Sequence, residues 1–567
     1  MADETINQKT DQTIRGADIL VQTMQRFGVD KIFSLSGNHI MPVYDALLNT
    51  PIELIHVRHE AACVHMADAY GRLTGSVGIA LVTGGQGHTN ATAALATSLA
   101  SEAPMVLLSG HAGLNELGKG AFQEMRQAEF SREVTKASWT VQSAASFGHE
   151  LARAMQIARS GRPGPVHLSL PVDLLEEQVP LSDSLWPSDA AAARTATPLT
   201  DSVADLVLVH VAAASRPLIV CGPTFCSVAG RVSMQELSRR TGAPVVGMES
   251  PRGINDPSLG AFAQVVAQAD LIVLLGKPLD FTLRFGQAPH VDAACNWIVI
   301  DPDMALLDRA AGTRQKRMLL ATRAAPADAM AALLERSVAP GRPSHDRRVG
   351  GPRSEKSWLD EALSLIAHRP PQWREMQFAE DQPVHPVALG RVLQEFIDRH
   401  PQTTLVCDGG EIGQWPQATV CVERRLINGV AGSIGPSLPF ALAAKAANPQ
   451  QPVIAVMGDG TFGFHMAEFD TAVRHGLPVI VVIGNDARWN AEYQIQVRDY
   501  GADRTTGCEL LPTRYEQVAQ ALGGHGEFVA TLSDLTPALA RAAASGKPAC
   551  INVMLQSTPA PVVRRAV

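Results

Sequence analysis

The sequence predicts an α/β protein made of parallel sheets with helices on both faces. Short apolar runs such as Ile79–Val82 and Val479–Ile483 alternate with longer alanine-rich segments. This alternation is typical of strands that are buried on both faces and joined by helical crossovers. The chain has 567 residues, which is enough for about three domains. We therefore expect three doubly wound parallel-sheet domains.

Two polar, proline-rich stretches divide the chain into these domains. The stretches cover residues 179–200 and 337–357 and contain almost no apolar periodicity, which is typical of linkers. The predicted domains span residues 12–180, 198–337 and 372–557. The first and last domains share a pattern of strand, glycine-rich turn, helix, proline and strand. We interpret this repeat as two copies of one fold.

Composition and charge narrow the class of protein. Hydrophobic residues make up 46% of the chain and the net charge is -8, so neither a disordered polyelectrolyte nor a nucleic-acid-binding protein is expected. Eight cysteines without metal-site spacing are typical of reduced thiols in the cytoplasm. The polar N-terminal segment lacks a signal-peptide pattern, and no apolar run approaches the ~18 residues of a membrane span. We predict a cytoplasmic protein with neither membrane nor nucleic-acid partners.

Two acidic residues follow neighbouring strands of the last domain. Asp459 stands in the Gly458–Gly460 turn directly after one apolar run, and Asp486 ends the next run. Because the carboxyl ends of parallel strands meet at one edge of a sheet, both carboxylates should converge on the crevice where α/β sheets bind ligands. Oxygen ligands beside a glycine turn and a helix N-terminus suit a hard Mg²⁺ or Ca²⁺ that also binds phosphate oxygens. The pattern predicts a site for a divalent cation and a diphosphate.

This pattern resembles the signature of the thiamine diphosphate (ThDP) dependent enzymes of the acetolactate synthase, benzaldehyde lyase and 2-hydroxyacyl-CoA lyase group. In that group a second metal ligand follows the GDG turn at the spacing found between Asp459 and Asp486. Most members have Asn at the second position, whereas a subset including some hydroxyacyl-CoA lyases has the GNDxxW ending found at residues 484–489. The resemblance covers residues 14–557. It implies bound ThDP and Mg²⁺, with Asp459, Asp486 and the backbone carbonyl of Arg488 as metal ligands.

The resemblance also divides the cofactor contacts among the domains. The first becomes the pyrimidine-binding domain, the second a Rossmann-like central domain and the last the diphosphate-binding domain. Within the last domain, Ile434 is implied as the apolar support beneath the bent cofactor, and the Gly432 carbonyl accepts a hydrogen bond from the 4′-amino group. The full set of implied cofactor-binding residues in this domain is Gly409, Gly410, Gly432, Ile434, Gly458, Gly460 and Thr461.

A second motif lies in the first domain. Arg58-His59-Glu60 follows an apolar run and opens an alanine-rich segment, and it is similar to the family motif whose glutamate contacts N1′ of the ThDP aminopyrimidine. A carboxyl group hydrogen-bonded to N1′ favours the imino tautomer, whose 4′-nitrogen removes the C2 proton of the thiazolium. Glu60 is therefore predicted to be catalytic and to bind the cofactor.

Three more catalytic residues are predicted on the substrate side. His39 follows the first strand, where benzaldehyde lyase also has a histidine, and is a candidate proton shuttle. Gln123 matches a glutamine that reaches the reacting groups in the family. Glu492, which with Tyr493 lies just past the metal loop, either exchanges a proton with the substrate hydroxyl or belongs to a polar surface helix.

The predicted activity is that of a ThDP-dependent lyase acting on a carbon–carbon bond of a small-molecule substrate. The GNDxxW ending, Glu492 and the basic residues 564–565 favour a 2-hydroxyacyl-CoA lyase, which forms an aldehyde or ketone and formyl-CoA. A benzaldehyde lyase-like carboligase fits His39 and Gln123; a 2-oxoacid or oxalyl-CoA decarboxylase and a non-catalytic ThDP-fold protein are further alternatives. Acetolactate synthase is disfavoured because Ile495 stands where that family carries a tryptophan.

Two features stay undecided from the sequence. The central domain lacks a GxGxxG motif, and since some relatives bind FAD there and others ADP or the adenine end of CoA, its nucleotide is left open. The resemblance places the pyrimidine half of each site on one chain and the diphosphate half on another. A homodimer is then the smallest competent unit, and a homotetramer is also predicted.

Overall fold

The computed structural model describes residues 12–182, 185–337 and 357–566. They form two compact units, here called unit 1 and unit 2, which divide between Thr195 and Ala196. One parallel sheet of six strands lies in unit 1, and parallel sheets of five and six strands lie in unit 2. Helices connect the strands throughout these ranges. The predicted α/β class is confirmed.

Unit 1 contains eight of the described strands. They are β1 (Thr13–Arg15), β2 (Lys31–Ser34), β3 (Glu53–His56), β4 (Gly78–Val82), β5 (Met105–His111), β6 (Ala137–Thr140), β7 (Pro165–Pro171) and β8 (Gln178–Pro180). The helices are α1 (Gly16–Arg26), α2 (Met41–Ala46), α3 (Glu60–Thr74), α4 (Gln86–Ala100), α5 (Gln127–Phe130), α6 (Phe147–Arg159) and α7 (Val172–Glu176). The parallel sheet has the order β3-β2-β4-β5-β7-β6, and β1 pairs with β8 in a separate antiparallel ribbon.

The stretch 179–200, predicted as a linker, belongs in large part to unit 1. Its first residues extend β8, and the side chains of Val179, Leu185 and Ala192 lie in the hydrophobic core of this unit. Arg26 on α1 also pairs with Asp189 at 2.8 Å. The hydrophobic core of unit 1 therefore continues beyond residue 180, because a few isolated apolar side chains anchor a segment that has no periodic pattern.

Unit 2 holds the other two parallel sheets. Its strands are β9 (Pro217–Cys221), β10 (Val245–Gly247), β11 (Leu271–Leu275), β12 (Asn296–Ile300), β13 (Met318–Thr322), β14 (Thr404–Cys407), β15 (Arg424–Ile427), β16 (Val453–Gly458), β17 (Ile480–Asn485), β18 (His525–Val529) and β19 (Ala549–Met554). The central sheet has the order β10-β9-β11-β12-β13, and the third sheet has the order β15-β14-β16-β17-β19-β18.

The helices of unit 2 cover both sheets. They are α8 (Asp201–Ala213), α9 (Val228–Thr241), α10 (Phe262–Gln268), α11 (Met304–Arg314), α12 (Pro326–Arg336), α13 (Trp358–Ile366), α14 (Gln372–Glu375), α15 (Pro386–Arg399), α16 (Gly410–Thr419), α17 (Ser437–Ala447), α18 (Asp459–Phe462), α19 (Glu468–Arg474), α20 (Asn490–Tyr500), α21 (Tyr515–Ala521) and α22 (Leu532–Ala544).

The second predicted linker covers residues 337–357. Residues 338–356 of it lie outside the described residues, so this prediction is left as made. The helix that follows, α13, buries Ala362 and Leu365 in the core of the central sheet. A helix that follows residue 337 in the chain therefore packs on the central sheet.

The first and third sheets have the same topology. In each, the strands run in the order second, first, third, fourth, sixth, fifth along the chain, and all neighbours are parallel. This agrees with the repeat predicted from the sequence. The central strands of both sheets, such as β4 and β16, are buried at every residue, which explains their continuous apolar runs.

The strand order creates one switch point in each six-stranded sheet. It lies between β2 and β4 in the first sheet and between β14 and β16 in the third, where successive crossovers leave in opposite directions. Open α/β sheets bind ligands at the carboxyl ends of the strands that flank this point. Within the described residues, no helix is both long and apolar enough to cross a membrane.

Candidate active site

A cavity of about 280 Å³ opens at the switch point of the third sheet. The segments that follow β14 and β16, beginning at Asp408 and Asp459, supply two of its walls. The remaining walls come from residues 250–252, 428–434 and 488–492. The predicted residues that line it are Gly409, Gly410, Gly432, Ile434, Gly458, Asp459, Gly460, Thr461, Arg488 and Glu492.

Asp459 and Asp486 come together because their strands are parallel and in register. Gly458 of β16 pairs with Gly484 of β17, so the two carboxylates extend from neighbouring strand ends. Burial raises the pKa of Asp459 to about 7, with a further contribution from the charge of Asp486. Burial also raises the pKa of Asp486 to about 6, although nearby Ser557 and Arg488 oppose that shift.

Three of the four carboxylate oxygens at this point lack hydrogen-bond donors in the described residues. Asp459 Oδ2 and both oxygens of Asp486 are buried and accept no hydrogen bond from the described residues, while the Ser557 hydroxyl donates to Asn490 Oδ1 at 3.1 Å. Leaving buried acceptors and paired like charges without compensation costs free energy. Hard oxygen donors of this kind fit a divalent cation.

The cation would need further ligands. The described residues contain no group of three or more His, Cys, Asp or Glu side chains arranged for a metal ion, so two carboxylates must be completed by backbone or ligand oxygens. Ala487, at a φ of 53°, reverses the chain after Asp486 and brings Arg488 into the cavity wall. The donor set therefore fits a cation that shares a phosphate ligand.

Glycines open the floor of the cavity. A Cβ atom at Gly460 would lie 2.7 Å from the Trp489 ring, and one at Gly409 would lie 2.8 Å from Ile434 Cγ2. Neither distance is compatible with a side chain. Helix α16 begins at Gly410, beside this floor. The free backbone amides of a helix N-terminus favour an anion such as a diphosphate.

Asp408 organises the floor and was not among the predicted site residues. It is fully buried, and its Oδ1 accepts hydrogen bonds from the Gly409 and Gly435 amides at 2.7 and 2.9 Å. Its Oδ2 accepts one from the Ser437 amide at 3.2 Å. Asp408 thus ties the end of β14 to the loop that carries Ile434. Its position directly after an apolar strand was the available sequence signal.

Two carboxyl groups and a guanidinium face the outer part of the cavity. Glu492, an exposed residue, lines it from the first turn of α20. Tyr493 packs beneath the Arg488 guanidinium at 4.3 Å. Glu411 is only 9% exposed and pairs with Arg252 at 3.0 Å. Burial raises the pKa of Glu411, and the neighbouring charge of Glu492 adds to the shift. Sequence reasoning missed Arg252, because the central domain supplies it.

Unit 1 gathers its predicted residues around the switch point of the first sheet. His39 follows β2, is buried, and places Nδ1 3.3 Å from Thr83 Oγ1 after β4. Burial lowers the pKa of His39. Gln123 adopts a φ of 56° and packs against Gly85 of the same turn. The structure thus brings His39 and Gln123 to one short segment, residues 83–87.

Glu60 lies beside the same segment. It is the first residue of α3, directly after β3, and is half-buried. Its Oε2 accepts a hydrogen bond from Asn90 Nδ2 on α4 at 3.1 Å. A Cβ atom at Gly87 would lie 3.5 Å from Glu60 Oε1, so the small residue leaves that oxygen room for another partner.

Comparisons with known proteins identify the domains in which both groups of residues lie. Residues 14–130 match the family model "Thiamine pyrophosphate enzyme, N-terminal TPP binding domain", and residues 408–553 match "Thiamine pyrophosphate enzyme, C-terminal TPP binding domain". The first range contains Glu60 and the second contains Asp459 and Asp486. Each match covers at least four strands of one six-stranded sheet.

Relatives match over nearly the whole chain. A "Probable acetolactate synthase" of Mycobacterium bovis is 30% identical over 554 residues, covering 96% of each chain. A "2-hydroxyacyl-CoA lyase 2" of Xenopus laevis is 29% identical, covering 91% of this chain and 86% of the relative. A "2-hydroxyacyl-CoA lyase" of Arabidopsis thaliana is 26% identical, covering 98% and 97%. The chain belongs to the ThDP (thiamine pyrophosphate) dependent enzymes of the acetolactate synthase and 2-hydroxyacyl-CoA lyase group.

Proposed function

We propose that this enzyme is a 2-hydroxyacyl-CoA lyase, which cleaves a 2-hydroxyacyl-CoA into an aldehyde or ketone and formyl-CoA, in a reversible reaction. The observation that carries the proposal is Glu492, an acid–base group in the wall of the same cavity as the metal carboxylate Asp459. Relatives named 2-hydroxyacyl-CoA lyase that match more than nine-tenths of this chain support it.

The proton balance of this cleavage needs one group that both accepts and donates. The 2-hydroxyl group loses its proton as the C1–C2 bond breaks, and C1 gains a proton when it becomes the formyl carbon. A carboxyl group beside both atoms can remove the first proton and supply the second. Glu492 is proposed for this role, and its charge adds to the raised pKa of the buried Glu411 carboxyl group beside it.

The residues of the third sheet are proposed to bind the cofactor. Asp459, Asp486 and the backbone carbonyl of Arg488 would hold Mg²⁺, which in turn holds the diphosphate at the glycine floor. Ile434 would support the bent cofactor from below, and the Gly432 carbonyl would orient its amino group. When bound, ThDP supplies the nucleophilic carbon and the electron sink for the cleavage.

The residues of the first sheet are proposed to act on the pyrimidine half and on the substrate. Glu60 would hold a proton at N1′ of the aminopyrimidine, using the oxygen that Asn90 does not bind. His39 and Gln123, which share the segment 83–87, would orient the substrate oxygen. Because the pyrimidine and diphosphate halves belong to different units, and the family combines them from two chains, we propose a homodimer or homotetramer as the active form.

One set of assays tests the proposal. Purified enzyme with ThDP and Mg²⁺ is incubated separately with a 2-hydroxyacyl-CoA, benzoin, oxalyl-CoA and pyruvate, and products are identified by mass spectrometry. We expect formyl-CoA and an aldehyde from the first substrate only. Benzoin cleavage without thioester turnover would contradict the proposal and indicate a benzaldehyde lyase-like activity. Turnover of oxalyl-CoA or pyruvate alone would likewise contradict it and indicate a decarboxylase or an acetolactate synthase.

A pair of variants tests the role of Glu492. Glu492→Gln keeps the size of the side chain but removes its acid–base function, so we expect kcat to fall about a hundredfold while ThDP binding is unchanged. Glu509→Gln, at an exposed glutamate of the following loop, is the matched control and should keep wild-type kcat. Equal kcat values in the two variants would exclude Glu492 as the proton-transfer group.

A further inference from the structure

A second and larger cavity lies in unit 2, apart from the proposed chemistry. It has a volume of about 650 Å³, within the range of small-molecule sites. Its walls are the edge strand β10 and helix α9 of the central domain on one side, and α15 with the end of α16 on the other. Residues 363–374, which include parts of α13 and α14, complete it. We call it the arginine cavity.

Five arginines line this cavity: Arg231, Arg369, Arg374, Arg391 and Arg425. Three of them are held by backbone carbonyls, which position a guanidinium without neutralising it. Arg231 donates to the carbonyls of residues 226 and 423, Arg369 to four carbonyls including that of residue 418, and Arg391 to those of residues 373 and 374. Their positive charge therefore remains available to a ligand.

The acidic groups near the cavity are fewer. Glu249 pairs with Arg425 at 2.8 Å, and buried Asp256 acts on Arg425 and Arg369 through space while capping the Ser258 turn. Among the described residues, the lining of the cavity thus contains five guanidinium groups and one carboxyl group, that of Glu249. Such an excess of positive charge along one cavity attracts an anion.

Two guanidinium groups have donors to spare. Arg425 Nε is buried and finds no acceptor among the described residues. Arg374 is exposed, and its side chain makes no hydrogen bond or ion pair within the described part of the chain. Arginine binds carboxylate and phosphate oxygens through charge-assisted, often bidentate hydrogen bonds. Both groups are suited to an anionic head.

Apolar side chains form much of the remaining wall. Met234 and Val246 come from the central domain, Leu259 and Ile366 from its far side, and Val387 from α15. An inorganic ion alone would leave these surfaces in contact with water. A ligand with a hydrocarbon or aromatic body would cover them and gain the free energy of apolar burial.

Helix α16 connects this cavity with the cofactor cavity. Its first turn, with Gly410 and Glu411, lines the cofactor cavity, while its last turn, with Ala418 and Thr419, lines the arginine cavity. Gln417 lines both and is 4% exposed, and its Oε1 has no hydrogen-bond donor in the described residues. A ligand in the arginine cavity therefore changes the surroundings of Gln417, which also borders the cofactor cavity.

We propose that the arginine cavity binds a small organic anion, a carboxylate or phosphate ester on an apolar body, and that α16 couples this binding to the cofactor site. Nothing in the lyase reaction requires this site, so it is a separate function of the chain. By linkage, the anion and ThDP change each other's affinity by the same factor.

Calorimetric titration of the enzyme loaded with ThDP and Mg²⁺ tests the binding. The probes are octanoate and phenyl phosphate, with octanol and benzyl alcohol as uncharged counterparts. We expect saturable binding of at least one anion and none of the alcohols; which anion binds distinguishes a carboxylate from a phosphate ligand. Binding of neither anion, or equal binding of the alcohols, would overturn the proposal.

A pair of variants locates the binding. Arg374→Gln removes a guanidinium that supports no described contact, so we expect the fold to persist and the dissociation constant to rise about tenfold. Arg239→Gln, at a 71% exposed arginine on the distal end of α9, is the matched control. Equal dissociation constants in the two variants would show that the anion binds elsewhere and would overturn the assignment.

The coupling is tested on the wild-type enzyme. The dissociation constant of ThDP is measured with and without saturating octanoate or phenyl phosphate, whichever binds. We expect a change of about threefold or more, and no such change in Arg374→Gln at the same concentration of anion. An unchanged ThDP affinity in the wild type would overturn the coupling through α16.

Discussion

The six-stranded sheets of unit 1 and unit 2 share one strand order but carry different chemistry at their switch points. Thr83 follows β4 in the first sheet, where Asp459 follows β16 in the third. Ala112 follows β5, where Asp486 follows β17. Two neutral residues thus stand at positions where the other copy places two buried carboxylates. The fold supplies a crevice in each copy, and single residues decide what the crevice binds.

Burial acts on different titratable groups in the two copies. In unit 1, burial lowers the pKa of His88 to about 4 and also lowers the pKa of His167, so both rings are neutral near neutral pH. In unit 2, burial raises the pKa values of Asp459 and Asp486. These two buried rings of the first copy are therefore uncharged, whereas the second copy has buried acidic groups that are costly without a cation.

The largest effect is expected where the copies differ most, at Asp459. Asp459→Asn removes a ligand for the cation, and we expect kcat/KM to fall about 10⁴-fold, or ~5 kcal/mol. The metal-free variant should melt no lower than the wild type, because the substitution also removes a buried acidic group. Activity over a Mg²⁺ titration and thermal unfolding in EDTA measure the two effects.

The matched control is Thr83→Ser, at the equivalent position of the first sheet. We expect it to keep the wild-type dependence on Mg²⁺, since no carboxylate is lost. If Asp459→Asn retained turnover within tenfold of the wild type, Asp459 would not be a required ligand for the cation.

The corresponding test in the first copy is Glu60→Gln. Glutamine keeps an oxygen acceptor for Asn90, so the contact at 3.1 Å and the fold should persist. It cannot share a carboxyl proton with the cofactor, and we expect turnover to fall about 10³-fold. Steady-state kinetics and circular dichroism measure both, with Glu53→Gln on the adjacent strand β3 as control. Near-normal turnover in Glu60→Gln would show that Glu60 is not a catalytic residue.

Acid should destabilise the first copy through His88. This residue is fully buried; its Nδ1 lies 2.8 Å from Ser109 Oγ and its Nε2 lies 2.9 Å from Ser131 Oγ. Because its pKa is about 4 in the folded chain and about 6.5 when unfolded, the unfolded chain takes up the proton first. The stabilisation is complete above pH 6.5 and is lost as the pH falls towards 4, by about 3 kcal/mol at most.

Urea unfolding midpoints of the metal-free protein at pH 7.5, 6 and 5 measure this loss. His88→Gln should flatten the decline, because glutamine can bond to the two serine hydroxyls without titrating. His149→Gln, at an exposed histidine of the same unit, should reproduce the wild-type decline. A decline of the same slope in both variants would mean that other groups of unit 1 take up the protons.

The comparison also separates what local sequence patterns predict from what they do not. Apolar runs predicted the parallel sheets, and the residues that follow them located Asp459, Asp486 and Glu60, because in a parallel sheet the end of a strand is also the edge of the crevice. Gly460 and Gly409 were predicted by motif, and steric contact explains them. These are properties that a short window of sequence contains.

Contacts between distant segments were not predictable in this way. Arg252 reaches Glu411 from the central domain, and no pattern around either residue indicates the other. The stretch 179–200 resembled a linker because its core contacts depend on single side chains such as Leu185. Asp408 was visible as an acidic residue after a strand, but its role depends on the amides of Gly435 and Ser437, which only the folded loop brings near.

The smallest expected effect concerns the charge at the second metal position. Most of the family has Asn where this chain has Asp486, so Asp486→Asn tests whether the additional charge strengthens cation binding. Both oxygens of Asp486 are buried without hydrogen-bond donors in the described residues, so a cation is their main source of compensation. We expect Mg²⁺ to bind Asp486→Asn about tenfold more weakly, or ~1.4 kcal/mol, with kcat at saturating Mg²⁺ nearly unchanged.

Charge and geometry can be separated at this position. Activation by Ca²⁺ should weaken in parallel with Mg²⁺ in Asp486→Asn, because both cations respond to the lost charge. Asp503→Asn, at an exposed aspartate beyond α20, serves as the control for a general change in net charge. Equal Mg²⁺ affinity in wild type and Asp486→Asn would mean that the side-chain oxygen matters at this position and its charge does not.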